Sequence, residues 1–175
     1  MTQDAVWQLD GQLLDVLTEL GVELERVEAG AYVLTLRGIR RRSTLVWLVA
    51  GEQAVAVEAF VMHVVPTDCP DPGRLHRHLL ARNLRLRAVH YGLDEVGDVF
   101  LTGSLPHSAV TVEGVDRLLG ELWQLVDDDH DSLVVLAYGD RLVADGALAH
   151  KVLADGAGRR PAGTPDWAPQ RDVRR

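Results

Sequence analysis

The stretch STLVWLVAGEQAVAVEAFVMHVV, residues 43–65, decides the fold. Gly51-Glu52 divides it into two extended segments, Ser43 to Ala50 and Gln53 to Val65, joined by a tight turn as in a β-hairpin. Neither segment alternates apolar with polar residues. Leu45, Trp47 and Val49 lie on one face of the first segment, and Val46, Leu48 and Ala50 on the other. The second carries Val55, Val57, Ala59 and Val61 on one side, and Ala54, Ala56, Phe60 and Met62 on the opposite side, interrupted by Glu58. Strands apolar on both faces are strands covered on both faces. Five or six such residues left open would form a patch of several hundred Å², more than most soluble monomers tolerate. At roughly 25 cal/mol per Å², covering about 400 Å² is worth on the order of 10 kcal/mol before the costs of association. Helices of the same chain are expected over one face. A second copy, a partner segment, or residues 142–153 and Trp167 of the same chain would cover the other.

Outward from this hairpin the elements follow in order. A helix is predicted from Asp4, its cap, to Leu20, with Val6, Leu9, Leu13, Val16 and Leu17 at helical spacing and Trp7 widening the stripe. Val22 to Glu28 and Ala31 to Arg37 form a hairpin around Ala29-Gly30, and Gly38 to Arg42 is a basic connection. Beyond the central hairpin, Asp71 as N-cap and Pro72 at the first helical position start a helix running to about Arg85. A third hairpin joins Arg87–Leu93 to Asp98–Ser104 through Asp94-Glu95-Val96-Gly97, and Pro106 closes its second strand. Thr111 caps a helix striped by Val115, Leu118, Leu119, Leu122, Leu125 and Val126. Asp127-Asp128-Asp129 opposes the dipole at a helix end, so a break is expected there, with another helical segment from Asp131 to Val143. The order α-β-β-β-β-α-β-β-α predicts an α+β fold, helices packed on one antiparallel β-sheet.

The 175 residues are 47% apolar and 25% charged, enough for one compact domain with a core. Residues 1–143 are expected to form that domain, 144–155 a short helical extension and 156–175 a flexible Arg/Pro/Gly-rich tail. The tail carries five arginines against two aspartates, net +3, which leaves −11 on the rest of a chain whose total is −8. An acidic body disfavours non-specific nucleic-acid binding, and Arg40-Arg41-Arg42 lies in no aromatic-interleaved basic face. No apolar run approaches a membrane span, and the first residues lack the regions of a signal peptide. The single cysteine, Cys69, forms no internal disulfide, so a reducing cytoplasm is expected. Lys151 is the sole lysine among the 18 basic residues, a bias of GC-rich coding that points to an actinobacterial source.

The segment LLARNLRLRAVHYGLDEVGDVFLTGSLP, residues 79–106, followed by TVEGVDRLLG, residues 111–120, resembles the YbjN family, whose fold is similar to that of type III secretion chaperones. The resemblance is carried by Asn83 at the helix end, by Asp94, Gly97 and Asp98 in the hairpin turn, by Gly103-x-Leu105-Pro106, and by Asp116-x-Leu118-Leu119-Gly120. It covers roughly residues 20–137. It implies a type III secretion chaperone-like fold and a non-enzymatic, protein-binding role of the kind described as sensory-transduction regulation. It brings no catalytic residues.

Other constellations fail on spacing. His76 and His78 lie two apart on a helix and face different ways, and with His63, Asp68, Cys69 and Asp71 they match no closed zinc site. Asp127, Asp129 and Asp131 have the start of a calcium loop, but Ser132 and Tyr138 occupy the positions that need Gly and Glu. Ser104 is in no nucleophile elbow, and no phosphate-binding glycine motif occurs. No metal, cofactor or catalytic site is therefore expected. Glu58, a lone acid among apolar neighbours, is expected at a strand edge or facing solvent, or in an ion pair with Arg87 or Arg37.

The expected function is that of a homodimeric protein-binding module, chaperone-like or regulatory, with Trp47, Val46, Leu48, Phe60, Met62 and Glu58 as the partner-binding candidates. Asp71, Pro72, Asn83, Asp94, Gly97, Asp98, Pro106 and Thr111 are assigned to turns and caps. The alternative is a small-molecule sensor with a pocket between helix and sheet.

Overall fold

The computed structural model describes residues 3–64 and 69–139, with side chains from Gln8 onward. Helix α1 (Gln3–Glu19) is followed by strands β1 (Leu24–Glu28), β2 (Ala31–Leu36), β3 (Thr44–Ala50) and β4 (Ala54–Met62). Then come α2 (Pro72–Asn83), β5 (Val89–Leu93), β6 (Val99–Pro106), a short 3-10 turn and α3 (Val112–Tyr138). The six strands form one antiparallel sheet in the order β1-β2-β3-β4-β6-β5. The α+β architecture and the order of its elements are those expected from the sequence.

Strand registers sort the side chains into two faces. Tyr32 opposes Leu48, which opposes Val57, which opposes Gly103, which opposes Val89. Val46, Ala50, Val55, Ala59, Leu101 and Leu105 share that face, and all join one buried cluster. Leu9, Leu13 and Leu17 of α1, Leu75 and Leu79 of α2, and Leu118, Leu122 and Leu133 of α3 belong to the same cluster. All three helices therefore pack on one side of the sheet, as amphipathic stripes of period 3.6 require. Val46, Leu48 and Met62, named above as partner-binding candidates, are at most 2% exposed within this core. They are the layer on which the helices sit, not part of the accessible surface of the chain. Phe60 and Met62 part company because the β4–β6 register slips between them, and this irregularity ends the strict alternation of β4.

The predicted break at Asp127-Asp128-Asp129 does not occur. Helix α3 runs unbroken to Tyr138 and stops at Gly139, whose φ of 68° takes the left-handed region. The aspartates are tolerated because two of them are paired. Asp127 Oδ1 accepts the backbone N–H groups of Ile39, Arg40 and Arg41 at 2.8, 2.7 and 3.1 Å. Asp129 accepts Arg82 Nε and the Tyr91 hydroxyl, both at 2.8 Å. Two carboxylates that receive donors from other elements cost less than three facing solvent beside the helix dipole. The same divergence rules out a calcium loop, since Asp127 and Asp129 serve different partners. Asp4, Trp7 and Asp68, and the segments 140–155 and 156–175, lie outside the described side chains.

Candidate interaction face

The reverse of the sheet is built from the alternate residues. One row crosses all six strands through Glu25, Val33, Trp47, Glu58, Thr102 and His90, each opposite the next. A second runs through Ala31, Val49, Ala56 and Ser104. Phe60 opposes Phe100, which opposes Gly92. Ala31, Val33, Val49, Phe60 and Phe100 are 6% exposed or less, yet none belongs to the cluster beneath the helices. Leu45 and Trp47 are half-buried and Ala56 is exposed. The sheet is thus apolar on both sides of β3 and β4, while the described helices account for one side.

Two aromatic rings and one arginine close the end of this face. Phe60 and Phe100 meet edge to face with centroids 5.4 Å apart. The Arg41 guanidinium lies 5.8 Å from the Phe60 ring centre, with Nε donating to Ser43 O and Nη2 to Phe60 O, both at 3.1 Å. Burial lowers the Arg41 pKa to about 10, so the group stays cationic at neutral pH. Its backbone is held by Asp127, which burial pushes up and the three N–H donors pull down further, leaving its pKa below the ordinary carboxylate value. Gly38 makes that anchor possible. A Cβ there would lie 2.4 Å from Arg41 O and 2.6 Å from Asp127 Oδ1.

Glu58 stands in the middle of the face. Its Oε1 is buried with no hydrogen-bond partner, and among the described residues it forms no salt bridge. The ion pair expected with Arg37 is not made, because Arg37 pairs with Glu23 at 2.9 Å. Burial first, and the negative charge of Asp94 second, raise the Glu58 pKa to about 7.

The residues assigned to turns and caps hold the frame. Asp71 Oδ1 accepts Arg74 N at 2.9 Å with Pro72 at the helix start, and Thr111 Oγ1 accepts Gly114 N at 3.1 Å. Asp94 Oδ1 accepts Val96 N and Asp98 N at 3.0 and 2.8 Å, with Gly97 at φ 91°. Asp98 goes further than a turn role: it accepts Val64 N at 3.1 Å and lies 2.5 Å from His63 Nδ1, tying the β5–β6 hairpin to the exit of β4. Pro106 ends β6 opposite Ala54. Asn83 exchanges two hydrogen bonds with the backbone of Tyr91.

One residue that carries the fold escaped the sequence reading. Asp10 on α1 is buried and accepts Gly30 N at 2.8 Å, the Tyr32 hydroxyl and Arg26 Nη2. Its only signal was an acid sitting next to Leu9 inside an apolar stripe. Burial, followed by Asp10 itself, pushes the Tyr32 phenol well above its ordinary value.

Among the described residues no group of three or more His, Cys, Asp or Glu side chains is placed to hold a metal ion. No described helix is long and apolar enough to cross a membrane.

Comparison with known proteins places this frame. Residues 10–134 match the family model YbjN, "Putative bacterial sensory transduction regulator". The chain belongs to the YbjN family. An uncharacterized protein of Mycobacterium tuberculosis is 41% identical over 110 residues, covering 62% of this chain and 57% of that one. One of Mycobacterium leprae is 39% identical over 110 residues, covering 61% and 56%. The match spans little more than half the length of these curated relatives. Among solved structures, a chain of the ExsC–ExsE complex superposes with a TM-score of 0.51 at 20% identity, covering 72% of this YbjN chain and 93% of that one. The Yersinia pestis type III secretion chaperone SycH, in complex with a fragment of YscM2, gives 0.49 at 20% identity over 73% and 98%. The YbjN chain therefore has the type III secretion chaperone-like fold.

Proposed function

We propose that this YbjN protein is a non-enzymatic protein-binding module, chaperone-like or regulatory, that works in the cytoplasm as a homodimer and takes a segment of a partner protein on the helix-free face of its sheet. One observation carries this reading: Leu45 and Trp47, half-buried, and Ala56, exposed, are the accessible part of a second apolar layer that also holds the buried Val33, Val49, Phe60 and Phe100 outside the helix-covered core. An apolar sheet face with a half-buried tryptophan suits an extended segment lying across it. The ExsC–ExsE structure, which shares the fold, is that of a complex between proteins, which agrees with such use.

The copy-to-copy contact has a separate candidate. Leu80 and Leu84 stand one turn apart on and just beyond α2, 66% and 88% exposed. An isologous contact through this stripe leaves the sheet face free. Light scattering after size exclusion tests the reading with two variants. The wild type is expected at twice the chain mass, Leu84→Asp at the monomer mass, and Ala56→Asp still dimeric. A strictly monomeric wild type at high micromolar concentration would remove the homodimer. A dimer abolished by Ala56→Asp would place the copies on the sheet face, where the partner segment is assigned.

The sensor alternative rests on a pocket of about 270 Å³ between α2 and the β5–β6 turn, lined by Val64, Cys69, Leu75, His76, Leu93 and Val96 among others. Tryptophan fluorescence unchanged by metabolite mixtures would argue against it.

A further inference from the structure

A carboxylate oxygen buried without a donor, in the centre of an apolar face, is a cost that something must offset. Glu58 Oε1 is in that position, and Trp47 is directly opposite on the neighbouring strand. We infer that Trp47 and Glu58 form a subsite for an arginine side chain carried between apolar residues of the segment that docks on the sheet. This rests on the partner-binding reading above and names the chemistry of the partner.

Three observations select a cation over a neutral donor. Residues directly opposite on antiparallel strands have Cβ atoms roughly 5 Å apart, so one flat guanidinium spans the indole and the carboxylate together. Asp94 adds negative potential at Glu58. The basic residue at the end of the face, Arg41, donates Nε to Ser43 O and Nη2 to Phe60 O, its Nη1 has no partner, and among the described residues no salt bridge joins it to Glu58. An amide would complete a hydrogen bond but leave the charge uncompensated. A guanidinium does both, and its weak hydration makes it the easier cation to bring onto an apolar face. The raised affinity of Glu58 for its proton has the same origin, and an incoming cation reverses it.

The test uses the full chain and two fluorescein-labelled pentapeptides, Thr-Val-Arg-Val-Thr and the same peptide with citrulline, a neutral isostere, replacing arginine. Fluorescence anisotropy at pH 8 is expected to show the arginine peptide binding about tenfold more tightly. In Glu58→Gln the preference is expected to collapse to within twofold, and in Trp47→Leu to shrink while remaining measurable. Far-ultraviolet circular dichroism checks that both variants are folded. Equal binding of the two peptides by the wild type overturns the subsite and leaves segment binding intact. A preference that persists in Glu58→Gln overturns it too, since the cation then binds elsewhere. Binding of neither peptide at millimolar concentration overturns the subsite together with the partner-binding use of this face.

Discussion

Asn83 and Tyr91 exchange two hydrogen bonds: Asn83 Nδ2 donates to Tyr91 O at 3.0 Å, and Tyr91 N donates to Asn83 Oδ1 at 2.7 Å. The side-chain amide thereby serves as one residue of a neighbouring strand for the edge strand β5. Tyr91 in turn reaches α3, its hydroxyl donating to Asp129 Oδ2 at 2.8 Å. Asn83→Ala is expected to cost about 1–3 kcal/mol, because two backbone groups lose their partner. Asn83→Asp keeps the acceptor only and should fall between. Urea denaturation with an unchanged m-value checks both.

Asp127→Ala removes the acceptor of three backbone N–H groups in the Gly38–Arg42 connection. A loss of about 2–4 kcal/mol is expected, with faster amide exchange confined first to Ile39, Arg40 and Arg41. The pH dependence has a fixed sign. A carboxyl held below its unfolded value contributes stability above that value and loses it as pH falls through the folded one. The anchor should therefore weaken in acid, below about pH 4, and the Asp127→Ala variant should lack that component.

Glu58 works in the opposite sense. Its pKa rises from 4.5 to about 7, so the folded chain holds a proton that the unfolded chain releases. Stability from this group is full below pH 4.5, declines between there and about 7, and is flat above. Glu58→Gln should raise the midpoint of thermal unfolding at pH 8 and leave it unchanged at pH 4. Allowing for the partial exposure of the group, the gain is about 1–2 kcal/mol.

Gly103 faces the core side of β6, where an added Cβ would lie 2.3 Å from Ala88 O and 3.0 Å from Val89 Cγ1. Neither backbone nor a packed valine yields cheaply. Gly103→Ala is expected to destabilise by about 2–4 kcal/mol through separation of β5 from β6, read as a lower denaturation midpoint.

The architecture was legible because the signals were local. The hairpin turns, Asp71-Pro72, Thr111 and the leucine stripes are choices a chain makes within a few residues. The two apolar faces of residues 43–65 were legible too, but which face the helices take was not. Val46 and Trp47 differ by one position, and strand periodicity assigns them to opposite sides without saying which side is inner. The candidate list accordingly mixed Val46, Leu48 and Met62 of the core with Trp47, Glu58 and Phe60 of the reverse face. Asp10 was missed, and the partners of Asp127 were not read, for a related reason. Each is a helix acid whose partners lie 20 and nearly 90 positions away, and no local pattern encodes that distance.

The clasp between α3 and the β2–β3 connection also has a consequence for how the chain is made. A ribosome releases Ile39, Arg40 and Arg41 86 to 88 positions before Asp127, so three backbone donors leave the exit tunnel with no acceptor of their own. Until α3 arrives, the nascent sheet has one loose corner beside Phe60, and that corner is locked only by the last of the described elements to be translated.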